Sequence, residues 1–148
     1  WRKCLMPLGY NPFQSGALRF PKKYQSDIQK YCQRDSGSDV LNSPFKRIVD
    51  LWYLCVCIGV YFDEKKDVKN HYRFMEGSVL KDDHYMIENL EIIALADSGN
   101  QSILSEPNKM LEILNSYAFG GFDRVYTALS GSSDNLWNLN DYLIEKIK

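Results

Sequence analysis

The side chains in this 148-residue chain that could do chemistry are few: two histidines, four cysteines and several short runs of acids. Asp82-Asp83-His84 has the content of a metal-ligand set. Consecutive residues at a helix start point about 100° apart, however, so the three do not converge on one ion. The run reads instead as a charge cluster complementing a helix N-terminus. Asp97-Ser98-Gly99-Asn100 and Asp134-Asn135 read as turn and cap residues, because neither has the alternating ligand spacing and closing glutamate of a calcium loop. Gly120-Gly121-Phe122 lacks the Gly-Lys-Ser/Thr ending of a phosphate-binding loop, so the pair predicts a corner between two helices. Cys4, Cys32, Cys55 and Cys57 form no CxxC pair and read as free or buried thiols of a reducing cytosol. These patterns supply no catalytic set, no metal site and no cofactor site.

Charge, by contrast, is unevenly distributed. Residues 1–47 carry nine Lys/Arg against three Asp (+6), and residues 48–148 carry nine Lys/Arg against sixteen acids (−7). A basic front on an acidic body can present one face to phosphate; the alternative is a solvated surface whose two signs are unevenly spread. The apolar fraction of 45% and aromatic fraction of 14% are those of a globular chain and exclude disorder as a class. Trp52, Trp137 and the tyrosines fall at helical spacings and read as packing residues.

Any such face must be positioned by helices. Ser43 through Phe62 is the most continuously apolar stretch, and its pattern predicts a buried central helix with Ser43 as N-cap and Pro44 at the first helical position. It is apolar on every side and so must be covered on every side. About a dozen apolar residues are too few for a bilayer, and charged residues close both ends, so it is a core helix and not an anchor. Ahead of it, residues 1–14 read as an irregular arm. Ala17-Leu18-Arg19-Phe20-Pro21 is extended because the residue before a proline avoids helical geometry, which puts Leu18 and Phe20 on one face. A helix follows from about Lys22 to Arg34, with Tyr24, Ile28, Tyr31 and Cys32 inward. Beyond the central helix, residues 71–80 can be extended around Glu76-Gly77. Helices are then predicted from Asp83 to Ser98, from Pro107 to Ala118, from Phe122 to Leu129 and from Leu136 to Ile147. The fold class is therefore mainly α: a small helical bundle around a buried central helix, with a short N-terminal strand. Residues 1–62 form a basic strand-helix-helix segment, and residues 63–148 an acidic helical segment that packs on it as one compact unit.

The order strand, helix, turn, helix over about residues 15–62 resembles the ribbon-helix-helix repressors, whose strand also enters its first helix through an aromatic-Pro step, here Phe20-Pro21. The resemblance implies that two chains pair their strands and that outward strand residues, here Ser15, Ala17 and Arg19, face the major groove. It also implies phosphate contacts from the start of the second helix, here Ser43, Lys46 and Arg47. Ala17 offers no hydrogen bond to a base, so the expected mode is salt-sensitive backbone binding through Arg19, Lys22, Lys23, Lys46 and Arg47. The alternative is that Leu18-Arg19-Phe20 merely leads into a helical bundle.

Further along, Ile92-Ile93-Ala94-Leu95-Ala96-Asp97-Ser98-Gly99-Asn100, Tyr117-Ala118-Phe119-Gly120-Gly121 and Leu136-Trp137-Asn138-Leu139 resemble small accessory proteins encoded beside bacterial DNA-phosphorothioation (Dnd) systems and related phage-defence operons. That likeness spans residues 40–148 and implies a non-catalytic component of a DNA modification assembly. The expectation is a cytoplasmic, oligomeric DNA-associated accessory protein, not an enzyme, that meets other defence-system proteins and DNA but no membrane. Its DNA-binding residues are Arg19, Lys22, Lys23, Ser43, Lys46 and Arg47. The rival expectation is a helical adaptor that binds protein and never DNA.

Overall fold

The computed structural model describes residues 10–33, 41–130 and 134–147; Cys4 and most of the N-terminal arm lie outside them. In chain order the elements are strand β1 (Ala17–Pro21), a 3-10 turn (Lys22–Tyr24), helix α1 (Gln25–Tyr31), helix α2 (Ile48–Tyr61), strand β2 (His71–Glu76), a second 3-10 turn (Gly77–Leu80), helix α3 (His84–Ser98), a third 3-10 turn (Gln101–Ser105), helix α4 (Pro107–Leu129) and helix α5 (Asn135–Lys146). The chain is mainly α, as its periodicity predicts, with one two-stranded antiparallel sheet among the described residues.

The centre is the pair α2 and α4. Val49, Leu51, Trp52, Cys55, Val56 and Ile58 of α2 are buried against Met110, Leu114, Ala118, Phe122 and Val125 of α4 and its surroundings, within a core that also takes Leu18, Phe20 and Ile28. Gly120 and Gly121 do not break this helix: α4 runs through them without interruption for 23 residues. The reason is close approach. A Cβ at Gly121 would overlap the Cys55 carbonyl oxygen, and one at Gly59 would overlap that of Tyr117. Gly59 and Gly121 therefore let the two backbones meet, while Gly120 makes room for the Glu64 backbone after α2, and the corner expected at 120–121 is a helix crossing instead.

The central helix also begins later than its sequence suggests. Phe45 donates its N–H to the Tyr31 carbonyl at 3.1 Å, and its carbonyl accepts from Gln33 N–H at 2.7 Å. Those bonds hold the backbone extended beside the end of α1. The N-cap is therefore Arg47, whose N–H is accepted by the Asp50 carboxylate at 3.1 Å. Ser43 caps nothing in α2; its hydroxyl donates to the Lys30 carbonyl at 2.7 Å. Most of α2 is covered as its apolar surface requires, but Val60 and Tyr61 at its C-terminal end are exposed.

Leu18 and Phe20 are fully buried, as the alternation in β1 predicts. A strand followed by a helix is present as the ribbon-helix-helix resemblance implies. Its hydrogen-bonded neighbour is β2 of the same chain, with Phe20 opposite Tyr72 and Arg19 opposite Arg73. Phe20 stacks on Phe74 with ring centroids 5.0 Å apart. The other edge of β1 is occupied too. The Asn115 carboxamide on α4 accepts from Arg19 N–H at 3.0 Å and donates to the Ala17 carbonyl at 3.1 Å. The same oxygen accepts from Trp52 Nε1 at 3.1 Å, so one buried amide ties β1, α2 and α4 together. Residues 78–80, expected to be extended, form a 3-10 turn, while 71–76 is the strand. Helix α3 ends where predicted, at Gly99 with a left-handed φ of 67°. In α5, Leu139 is buried but Trp137 is 57% exposed, so Trp137 is not the packing residue its spacing suggested.

Candidate nucleic-acid interface

The basic residues of the front end fall into two groups. Arg19 lies on β1, and Lys22 and Lys23 lie on the turn that follows it, so three cations occur within five consecutive residues of one edge. Lys22 and Lys23 are exposed, and among the described residues neither they nor Arg19 forms an ion pair. Lys23 Nζ sits 4.7 Å from the centre of the Tyr24 ring. The connector after α2 runs alongside: Asn70 accepts from Lys22 N–H at 3.0 Å. It brings Lys66, paired to Asp123, beside Lys23, and Lys69, exposed, immediately precedes Asn70 in the chain. Lys23, Lys66, Asn70 and Asp123 border one shallow recess of about 210 Å³.

The sheet adds two further groups. Arg73 stands directly opposite Arg19 in the ladder, a like-charge pairing that costs stability unless something neutralises it. Glu76 offers Arg73 partial relief at 3.5 Å. Arg19 Nη1 lies 3.3 Å from His71 Nδ1. A guanidinium can only donate, so Nδ1 must be the acceptor, and the neutral ring carries its proton on Nε2. His71 in turn stacks on Phe119 of α4, with centroids 5.8 Å apart.

Ser43, Lys46 and Arg47 lie elsewhere, beside the far end of α1. Seven residues of helix, about 10 Å, separate them from Lys22 and Lys23. The Arg47 guanidinium is bound to Asp50 at 2.7 Å and to Asp83 at 3.0 Å, and hydrogen bonds from those carboxylates hold it firmly charged. Its charge is thus answered inside the molecule. Asp83, the middle residue of the acidic run before α3, is engaged by that pair, while Asp82 and His84 are exposed. Lys46 is exposed and, among the described residues, has no ion-pair partner. The sequence therefore named three residues that come together and three that stand apart. It missed His71, Arg73, Lys66 and Lys69. The readable signal was the alternation of His71-Tyr72-Arg73-Phe74, which puts His71 and Arg73 on one face of a strand.

The buried thiols are poor nucleophiles. Burial, with a smaller push from Asp50, raises Cys32 to about 12, and burial raises Cys55 and Cys57 as well. They are protonated at neutral pH, and a thiol reacts through its thiolate. No helix among the described residues is long and apolar enough to cross a membrane.

This is a mainly helical protein with a small sheet whose edge gathers cations. The chain belongs to the family described as DNA sulphur modification system-associated protein 4, whose model matches residues 19–148. It is thus an accessory protein of DNA sulphur modification systems, in keeping with the resemblance carried by residues 92–100, 117–121 and 136–139. No curated protein and no solved structure matches it.

Proposed function

We propose that this accessory protein is non-catalytic and binds the DNA backbone through the edge formed by Arg19, Lys22 and Lys23, with Lys69 and Arg73 beside them. The observation that carries the reading is that Lys22 and Lys23 are exposed and that neither they nor the half-buried Arg19 beside them is in an ion pair among the described residues, in a chain whose net charge is −1. A phosphate bridging Arg19 and Arg73 would also relieve the like-charge contact across the ladder. Ser43, Lys46 and Arg47 contribute less, Arg47 least, because its guanidinium would have to leave two aspartates to reach a phosphate. Residues 1–62 and 63–148 act as one unit in this reading, since the edge draws on both. The protein works in the cytoplasm, where its other contacts are proteins of the same modification system, with self-association through faces the core leaves open.

The test is the triple variant Arg19→Ala, Lys22→Ala, Lys23→Ala. Each phosphate contact contributes about 0.9 to the slope of log K against log salt. The variant should therefore bind a duplex more weakly and lose about 2 to 3 from that slope in a fluorescence-anisotropy titration. An unchanged slope would reject the edge as the DNA surface.

A second reading, an adaptor that binds protein only, is favoured by the exposure of Tyr85, Ile92, Trp137 and Ile144 on α3 and α5. An electrophoretic mobility shift at low and moderate salt separates the two: a protein that never retards DNA is the adaptor.

A further inference from the structure

Between the sheet and α4 lies a cleft of about 490 Å³, within the size range of small-ligand sites. One wall carries the Arg19 guanidinium and the His71 ring. The other is made of Asp67 from the connector and Asn108 and Glu112 from α4, and Val68, Leu111 and Phe119 supply apolar surface between them. Some of the lining is already committed. Asn115 is bound to β1 and Trp52, and the Ser116 hydroxyl donates to the Glu112 carbonyl at 2.8 Å. Among the described residues the side chains of Asp67, Asn108 and Glu112 have no such commitment. The His71 tautomer forced by Arg19 leaves its Nε2–H available as a donor.

This mixture of signs narrows the ligand. A bare phosphate would meet two carboxylates, and a simple cation would meet Arg19. What fits is a molecule with an anionic end, a flat apolar body and an N–H-bearing edge. We infer that the cleft receives a single unpaired nucleotide of a DNA strand. Its phosphate lies on Arg19 and His71, and the amino edge of its base donates to Glu112 or Asp67 beside Asn108. Carboxylates accept from exocyclic amino groups such as N4 of cytosine, and a base reaches such a pocket only when it has left the stack. The inference rests on the DNA-backbone reading for the source of the ligand and shares Arg19 with it, but adds His71, Asp67, Asn108 and Glu112, which that reading does not use.

NMR titration of the intact protein tests it with four probes: 5′-dCMP, inorganic phosphate, a short oligo-dC strand and a fully paired duplex. The expected result is that dCMP moves the resonances of His71, Asn108, Glu112 and Phe119, that phosphate alone binds at least about tenfold more weakly, and that oligo-dC binds more tightly than dCMP. Glu112→Gln and Asn108→Ala, both on the exposed side of α4, should abolish the dCMP response and leave duplex binding and its salt slope unchanged. If the duplex binds with the expected slope but neither dCMP nor oligo-dC moves these four residues at millimolar concentration, the nucleotide pocket is wrong and the backbone edge stands. If dCMP binds but oligo-dC does not, the ligand is a free nucleotide and the inference is overturned. If dCMP and oligo-dC move these residues while the triple variant keeps the full salt slope, the pocket stands and the edge falls.

Discussion

Single side chains decide much of this fold. Asn115 is a buried amide with three partners on two other elements. Its sequence context, Leu114-Asn115-Ser116 in a helical run, gives no sign of that role. The partners lie 63 to 98 residues away, and no local pattern encodes them. Asp97 is similar. Burial pulls its carboxyl upward, but hydrogen bonds from Tyr117 at 2.7 Å and Lys65 at 2.9 Å outweigh that and hold it below the usual carboxylate range. A carboxylate lowered on folding adds stability above its unfolded value of about 3.9, and that stability is lost as pH falls through the lower folded value. Asp97→Asn should therefore cost about 1–2 kcal/mol at neutral pH. In urea titrations the difference between variant and parent should shrink as the pH drops below about 4.

The helices show what periodicity reads well and what it cannot see. The α3 boundaries and the inward faces of α1 and β1 followed from apolar spacing, caps and Phe20-Pro21. The start of α2 did not, because Ser43-Pro44 is a good local cap that loses to hydrogen bonds between Phe45 and the end of α1. Gly120-Gly121 misled for a related reason. Glycine in a helix usually costs about 0.5–1 kcal/mol relative to alanine, so a pair predicts an ending unless a neighbouring backbone needs the room. Here it does. Gly121→Ala should therefore reverse the usual sign and destabilise the fold by about 1–3 kcal/mol, the cost of overpacking a core. Thermal or urea unfolding of that variant reads the effect, and a gain in stability would show that α2 and α4 are not in close contact at Gly121.

Across the whole molecule, the uneven charge along the chain becomes uneven charge in space only in part. Arg19, Lys22 and Lys23 stay together because one strand and one turn carry them, and β2 adds His71 and Arg73 from fifty residues further on. Lys46 and Arg47, adjacent to the same group by composition, are carried to the other end of α1 by the extended segment around Phe45, and Arg47 is neutralised there. A basic front was thus legible in the sequence, and its subdivision was not, because it depends on pairings between residues 31–33 and 45 and between Arg47, Asp50 and Asp83. The central proposal is that this family member meets DNA along the surface carried by Arg19 on β1 and by Lys22 and Lys23 on the turn that follows it. Its most direct measurement is a map of backbone amide shifts as a short duplex is added to the intact protein. The account predicts that shifts concentrate at residues 19–24 and 69–73, with little change at Lys46 and Arg47 or along α3. Shifts confined to α3 and α5, or none at low salt, would contradict it.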